Sequence, residues 1–160
     1  MTPARGLAHT DRPDPRDALQ AKFSVQYCVA RALLHGKVVL EHFEGEACHD
    51  PAVRALLSRV HARAFVKDHA PSDNPFNAEV KVTLTDGAVL RASVDQPLGR
   101  TAATPIAPAQ MKAKFENCAQ RVLAPDAVAA ASRAIDAFEE LGSVREFTTL
   151  LEPSRRLALA

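Results

Sequence analysis

The feature that most constrains this chain is the run Glu79-Val80-Lys81-Val82-Thr83-Leu84-Thr85-Asp86-Gly87-Ala88-Val89-Leu90-Arg91-Ala92-Ser93-Val94. From Glu79 to Thr85 apolar and polar residues alternate, and Ala88, Leu90, Ala92 and Val94 repeat the alternation. Two strands are therefore predicted, each with one face to bury. Asp86-Gly87 between them favours a two-residue hairpin loop, because glycine takes positive φ without steric penalty. An isolated hairpin is marginal in water, so a third strand over residues 61–66 is expected beside it.

Helical periods flank the hairpin. Asp17 can cap a helix whose core stripe is Ala21, Val25, Cys28, Val29 and Ala32, with His35-Gly36 as its stop. Asp50-Pro51 opens a second helix, ending near residue 60, with Val53, Leu56, Leu57 and Val60 on one face. Pro108 starts a third, with Met111, Phe115, Cys118 and Val122 in a stripe. Pro125 starts a fourth, with Val128, Ala131, Ile135 and Phe138 inward and Gly142 as its C-cap. The expected fold is α+β, a small antiparallel sheet packed against helices in two layers.

A chain of 160 residues has room for one domain with a real core. Residues 1–16 hold three prolines, two aspartates and three arginines with no hydrophobic period, and read as a tail or linker remnant. The domain is expected over residues 17–152, with residues 153–160 a second tail.

Composition removes several function classes. The net charge of +1 comes from 20 basic and 19 acidic residues with no Lys/Arg block, so neither nucleic acid nor an anionic membrane is expected as a partner. No apolar run is long enough to cross a bilayer, and the opening residues lack the apolar core of a signal peptide. A cytoplasmic location is the expectation. Cys28, Cys48 and Cys118 are odd in number and form no C-x-x-C, which reads as reduced thiols. The stretch Glu41 to Asp50 is rich in His, Cys and carboxylates but matches no zinc spacing, so no metal site is expected. Neither a phosphate-binding glycine loop nor a G-x-S-x-G elbow occurs.

The run Ala21-Lys22-Phe23-Ser24-Val25-Gln26-Tyr27-Cys28-Val29-Ala30, followed by Ala32-Leu33-Leu34-His35-Gly36, resembles a segment of the MmgE/PrpD C-terminal domain. Asp50-Pro51-Ala52-Val53-Arg54 is similar to that family's short helix, Val82 to Gly87 to its hairpin, and Lys114-Phe115 to the start of its next helix. Order and spacing carry the resemblance, since each motif alone is common. The resemblance implies a lid domain of a lyase, a dehydratase or decarboxylase acting on small polycarboxylates without metal or organic cofactor. In such enzymes a large helical N-terminal domain supplies most acid–base and carboxylate-binding groups. These residues hold no counterpart to it, so activity is expected only with a helical-domain partner.

Tyr27, in the Ser24-x-Gln26-Tyr27 context, matches the family's substrate-facing tyrosine, whose implied role is general acid. A hydroxyl with a pKa of ~10 is a donor at neutral pH and a poor base. On a helical wheel Tyr27 lies opposite the stripe Ala21, Val25, Cys28 and Ala32, sharing its face with Phe23, Ala30, Leu34 and Arg31. Arg31 is accordingly the candidate for binding an anionic substrate. The competing expectation is a non-catalytic module that forms a homo-oligomer through the Phe23–Tyr27–Leu34 face.

Overall fold

The computed structural model describes residues 1–66 and 74–152. The chain divides into two compact units, Met1–Pro105 and Ile106–Ala160. Among the described residues there are seven α-helices and one two-stranded antiparallel sheet, so the fold is α+β.

In the first unit the helices are α1 (Ala4–Thr10), α2 (Ala18–Lys22), α3 (Val25–His35) and α4 (Pro51–Leu57), and the strands are β1 (Ala78–Thr83) and β2 (Val89–Val94). Asp17 caps α2 as expected, its carboxylate accepting from the Gln20 N–H at 2.7 Å. The helix does not then run on to His35. It breaks at Phe23-Ser24, and Ser24 caps a new helix by accepting from the Tyr27 N–H at 3.0 Å. The same hydroxyl donates to the Arg12 carbonyl at 2.6 Å, so one serine satisfies a helix start and ties down an incoming segment. Gly36, at φ 71°, ends α3 in the left-handed conformation that favours glycine.

Residues 1–16 are folded. They include α1, and Gln26 fastens their far end by accepting from the Arg12 N–H and donating to Asp11 at 2.6 Å. Arg54 of α4 donates to the Pro15 carbonyl at 3.0 Å and pairs with Asp14. These are polar and backbone contacts, which leave no hydrophobic period to read. Residues 153–160, the other expected tail, lie outside the described residues.

β1 and β2 pair in the register Val80↔Ala92 and Val82↔Leu90. The Leu84 N–H donates to the Ala88 carbonyl and the Gly87 N–H to that of Leu84, so Thr85, Asp86 and Gly87 form a three-residue loop rather than the expected two. Gly87, at φ 88°, supplies the left-handed residue such a loop needs. No third strand forms over residues 61–66. Ala64 makes only an isolated parallel bridge with Thr2. The apolar hairpin face expected to be covered by helices is open among the described residues, with Leu90 57% and Val94 54% exposed.

The core of this unit is Ala21, Tyr27, Ala30, Cys48, Val53 and Leu57, with Phe43 and Leu56 packed on it. The expected stripe on α3 is therefore the wrong face: Gln26, Tyr27, Ala30 and Arg31 are buried while Ala32 is exposed. Hydrophobic periodicity assigns polar residues to solvent, and here two polar residues are buried because their hydrogen bonds are satisfied.

The second unit holds α5 (Pro108–Ala119), α6 (Pro125–Asp136) and α7 (Val144–Leu150). Pro108 and Pro125 stand at the helix starts, where a missing N–H is harmless. Ala119, Leu123 and Val128 form its small core with Phe115 and Ala127 against them. Met111, Cys118 and Val122, expected inside, are exposed, as are Ile135 and Phe138. Gly142 does not cap α6, which ends at Asp136; it precedes the unforeseen α7.

Candidate functional site

Tyr27 and Arg31 lie four residues apart on α3, one helical turn, so their side chains share a face. That face looks inward, onto residues 39–50. There the chain forms two short 3₁₀ turns, Leu40–Phe43 and Ala47–His49, and then enters α4. Tyr27 is 0% and Arg31 4% exposed.

Every polar atom of the pair has a partner. Arg31 donates from Nε to the Tyr27 hydroxyl at 3.0 Å, from Nη2 to the Ala47 carbonyl at 2.5 Å, and from Nη1 to Asp50 at 2.9 Å. The Tyr27 hydroxyl sits 2.5 Å from the His42 carbonyl and 3.1 Å from that of Ala47. A phenol has one proton to give, and Ala47 already receives the guanidinium, so Tyr27 donates to His42 and accepts from Arg31. The Tyr27–Arg31 pair thus binds both 3₁₀ turns to α3, the first through Tyr27 and His42 and the second through Arg31 and Ala47, and Arg31 adds the cap of α4, since the Asp50 carboxylate that it pairs with also accepts from the Ala52 N–H at 2.9 Å.

Burial raises the Tyr27 pKa above its ordinary value, with the Arg31 guanidinium opposing, so the phenol stays protonated at neutral pH. Asp50 is held below the carboxylate range first by its backbone bond from Ala52, with Arg31 assisting. Cys28 is pushed up by burial, which keeps its thiol un-ionised.

Two histidines close the outer side of the cluster. Arg31 Nη1 lies 3.2 Å from His35 Nε2, and because arginine only donates, that nitrogen is the acceptor. The His35 and His42 rings pack at 4.7 Å between centroids, and His42 Nδ1 accepts from the Val39 N–H. The His42 pKa is lowered below 6.5, first by burial, then by Arg31 and His35, with Lys37 adding to the effect and Glu41 opposing it. The unfolded chain therefore binds more protons than the folded one once pH drops below 6.5, and stability falls as pH is lowered through that window. Asp50, lowered from 3.8, acts in the same direction but chiefly at lower pH, its contribution setting in only from about pH 5 downward. The urea midpoint should thus fall between pH 7 and pH 5, and His42→Gln should remove that part of the fall; equal slopes in the two proteins would exclude the assignment.

The sequence picks out Tyr27 and Arg31, and the structure brings them into direct contact. It also adds His35, His42 and Asp50, which sequence reasoning placed in a helix end, an acidic loop and a cap. The four-residue steps Tyr27, Arg31, His35 were the available signal, masked by the assumption that this face was the outer one.

The chain matches the MmgE/PrpD C-terminal domain over residues 1–140. It belongs to that family. Its relatives include the cis-aconitate decarboxylase of Homo sapiens, 31% identical over 146 residues, which are 91% of this chain and 30% of the relative's length. The Mus musculus protein of the same name is 27% identical over the same shares. The mitochondrial 2-methylcitrate dehydratase of Yarrowia lipolytica is 32% identical over 80 residues, 47% of this chain and 15% of its own length. The chain thus spans under a third of the full length of these MmgE/PrpD relatives. None of its described helices is long and apolar enough to cross a membrane.

Proposed function

We propose that this MmgE/PrpD C-terminal domain works as the lid of a lyase that dehydrates or decarboxylates a small polycarboxylate, its site completed by a helical domain. That domain comes either from a longer form of this polypeptide or from a separate chain. The family membership over residues 1–140 carries the reading, together with relatives named as a decarboxylase and a dehydratase. The groups needed for such chemistry are a proton donor and a cation for carboxylates, and the domain holds both in contact: Tyr27, kept protonated by burial, and Arg31. No metal or organic cofactor enters the proposal, and the cytoplasm is its proposed setting.

As folded, the Tyr27 hydroxyl reaches no open surface, so serving as general acid requires the 3₁₀ turns at residues 40–49 to draw back and release it from His42. Arg31 would then exchange the Ala47 carbonyl for a substrate carboxylate. The test is turnover of cis-aconitate and of 2-methylcitrate by the domain alone and joined to a family helical domain. Turnover in the joined protein only, lost about 100-fold or more in Tyr27→Phe, is the expected result. A joined protein indifferent to Tyr27→Phe would remove that residue from the chemistry, and one inactive on any polycarboxylate would remove the function.

The complete burial of Tyr27 favours a second reading, in which Tyr27 and Arg31 are scaffold and the domain is a non-catalytic interaction or homo-oligomerisation module. Its surface cannot be the Phe23–Tyr27–Leu34 face as a whole, because Tyr27 lies beneath it while Phe23 and Leu34 are exposed. On this reading the lone domain self-associates, and Tyr27→Phe alters stability only.

A further inference from the structure

Between α1 and α2 the first unit holds a groove of about 460 Å³, lined by Ala8, His9, Arg12, Leu19, Gln20 and Phe23. Its surface is mostly apolar. Leu19 and Phe23, four residues apart, are 67% and 50% exposed, so two large apolar side chains meet water side by side in a concave site. The ionisable groups of the groove are both basic: the Arg12 guanidinium and the His9 imidazole, neither with a hydrogen-bond or ion-pair partner among the described residues. The carboxylates nearest in sequence are committed elsewhere. Asp11 accepts from Gln26 at 2.6 Å, Asp14 pairs with Arg54, and Asp17 accepts from Gln20 at 2.7 Å.

The groove is also preformed. Gln26 and Ser24, both buried, hold the Arg12 backbone from two sides, Gln26 accepting from its N–H at 3.3 Å and Ser24 donating to its carbonyl at 2.6 Å. The guanidinium is therefore carried on a backbone fixed to α3, which lowers the ordering cost of binding. Gln20 is fixed as well, since its amide donates to Asp17 and accepts from the Arg16 N–H at 3.2 Å. We propose that this groove binds a small organic carboxylate with an apolar body, of the acyl-chain class, its carboxylate on Arg12 and His9 and its chain along Leu19 and Phe23. Arginine offers two parallel donors to a carboxylate, and an imidazole offers an N–H in either tautomer. The volume lies in the range of small-molecule sites. A carboxylate without an apolar body would leave Leu19 and Phe23 in water, and an uncharged chain would leave the guanidinium unanswered, so the groove asks for both. It uses no atom of the Tyr27–Arg31 pair and does not rest on the lyase reading.

Octanoate is the probe, titrated into the isotope-labelled chain and followed by proton–nitrogen correlation spectra. The amides of His9, Arg12, Leu19 and Phe23 should shift together and saturate, with a dissociation constant on the order of 1 mM. Octanol, which lacks the charge, and tricarballylate, which lacks the apolar chain, should each bind at least about tenfold more weakly. Arg12→Gln leaves the backbone contacts to Ser24 and Gln26 in place, and Leu19→Ser alters an exposed position, so both variants should keep the wild-type spectrum outside the groove. Each should weaken octanoate binding by about tenfold. No saturation below about 10 mM, octanol binding as tightly as octanoate, or an octanoate affinity unchanged in Arg12→Gln overturns the proposal. Because the chain is titrated alone, failure of the lyase reading would leave these outcomes as they stand.

Discussion

Replacing Arg31 by methionine should destabilise the first unit by about 3–5 kcal/mol, enough to unfold it at room temperature if its stability lies at the low end for small domains. Methionine retains the aliphatic stem and removes the guanidinium, which leaves the Ala47 carbonyl, the Asp50 carboxylate and the Tyr27 oxygen without the donors they meet in the native fold. The size of the effect follows from burial. At 4% exposure Arg31 has no water to replace these partners, whereas an exposed ion pair of the same geometry contributes at most about 1 kcal/mol. The measurement is a urea titration followed by near-ultraviolet circular dichroism. Tyr27 is the only tyrosine and tryptophan is absent, so above 275 nm that signal comes from this cluster. A loss under about 1 kcal/mol would mean that the guanidinium is not what holds residues 39–50 on α3. The second unit, with its own core, gives an internal comparison by far-ultraviolet signal.

Tyr27 should divide into two effects of different size. Tyr27→Ala empties a fully buried aromatic position against Phe43, whose ring lies 5.7 Å away, and should cost about 3–5 kcal/mol. Tyr27→Phe keeps the ring and deletes only the hydroxyl, leaving the Arg31 Nε–H without its acceptor and the His42 carbonyl without its donor, for a loss of about 1–3 kcal/mol. If the hydroxyl also serves chemistry, the phenylalanine protein remains folded at working temperature and yet loses turnover out of proportion to its stability. If it is scaffold, activity and stability fall together, and raising stability by ligand or lower temperature restores both. Comparing urea midpoints with turnover in the same two proteins distinguishes these outcomes.

Much of the local structure was legible. Asp17, Asp50-Pro51, Gly36, Pro108 and Pro125 act through the one or two residues beside them, so their roles as caps and helix starts survive whatever the rest of the chain does. The alternation through β1 and β2 and the Asp86-Gly87 reversal are equally local, and so is the order of motifs that marks the MmgE/PrpD C-terminal domain. The pairing of Tyr27 with Arg31 followed from helical spacing alone.

What failed were inferences about which side of an element faces inward. On α3 the stripe of small apolar residues looked like the core, and the face with Gln26 and Arg31 looked like surface. The fold reverses this because Asp11 and Arg12 reach Gln26, and His42, Ala47 and Asp50 reach the Tyr27–Arg31 pair. The break at Ser24 has the same origin, since its hydroxyl answers the Arg12 carbonyl from a segment with no periodicity to announce it. Local chain chemistry was thus sufficient for the starts of α2, α4, α5 and α6, the end of α3, the two hairpin strands and the family, but not for α1, α7 or the break at Ser24. Tertiary structure decided which polar groups are buried, because a buried arginine is tolerable only when distant parts of the chain deliver its acceptors, and no spacing rule encodes those partners.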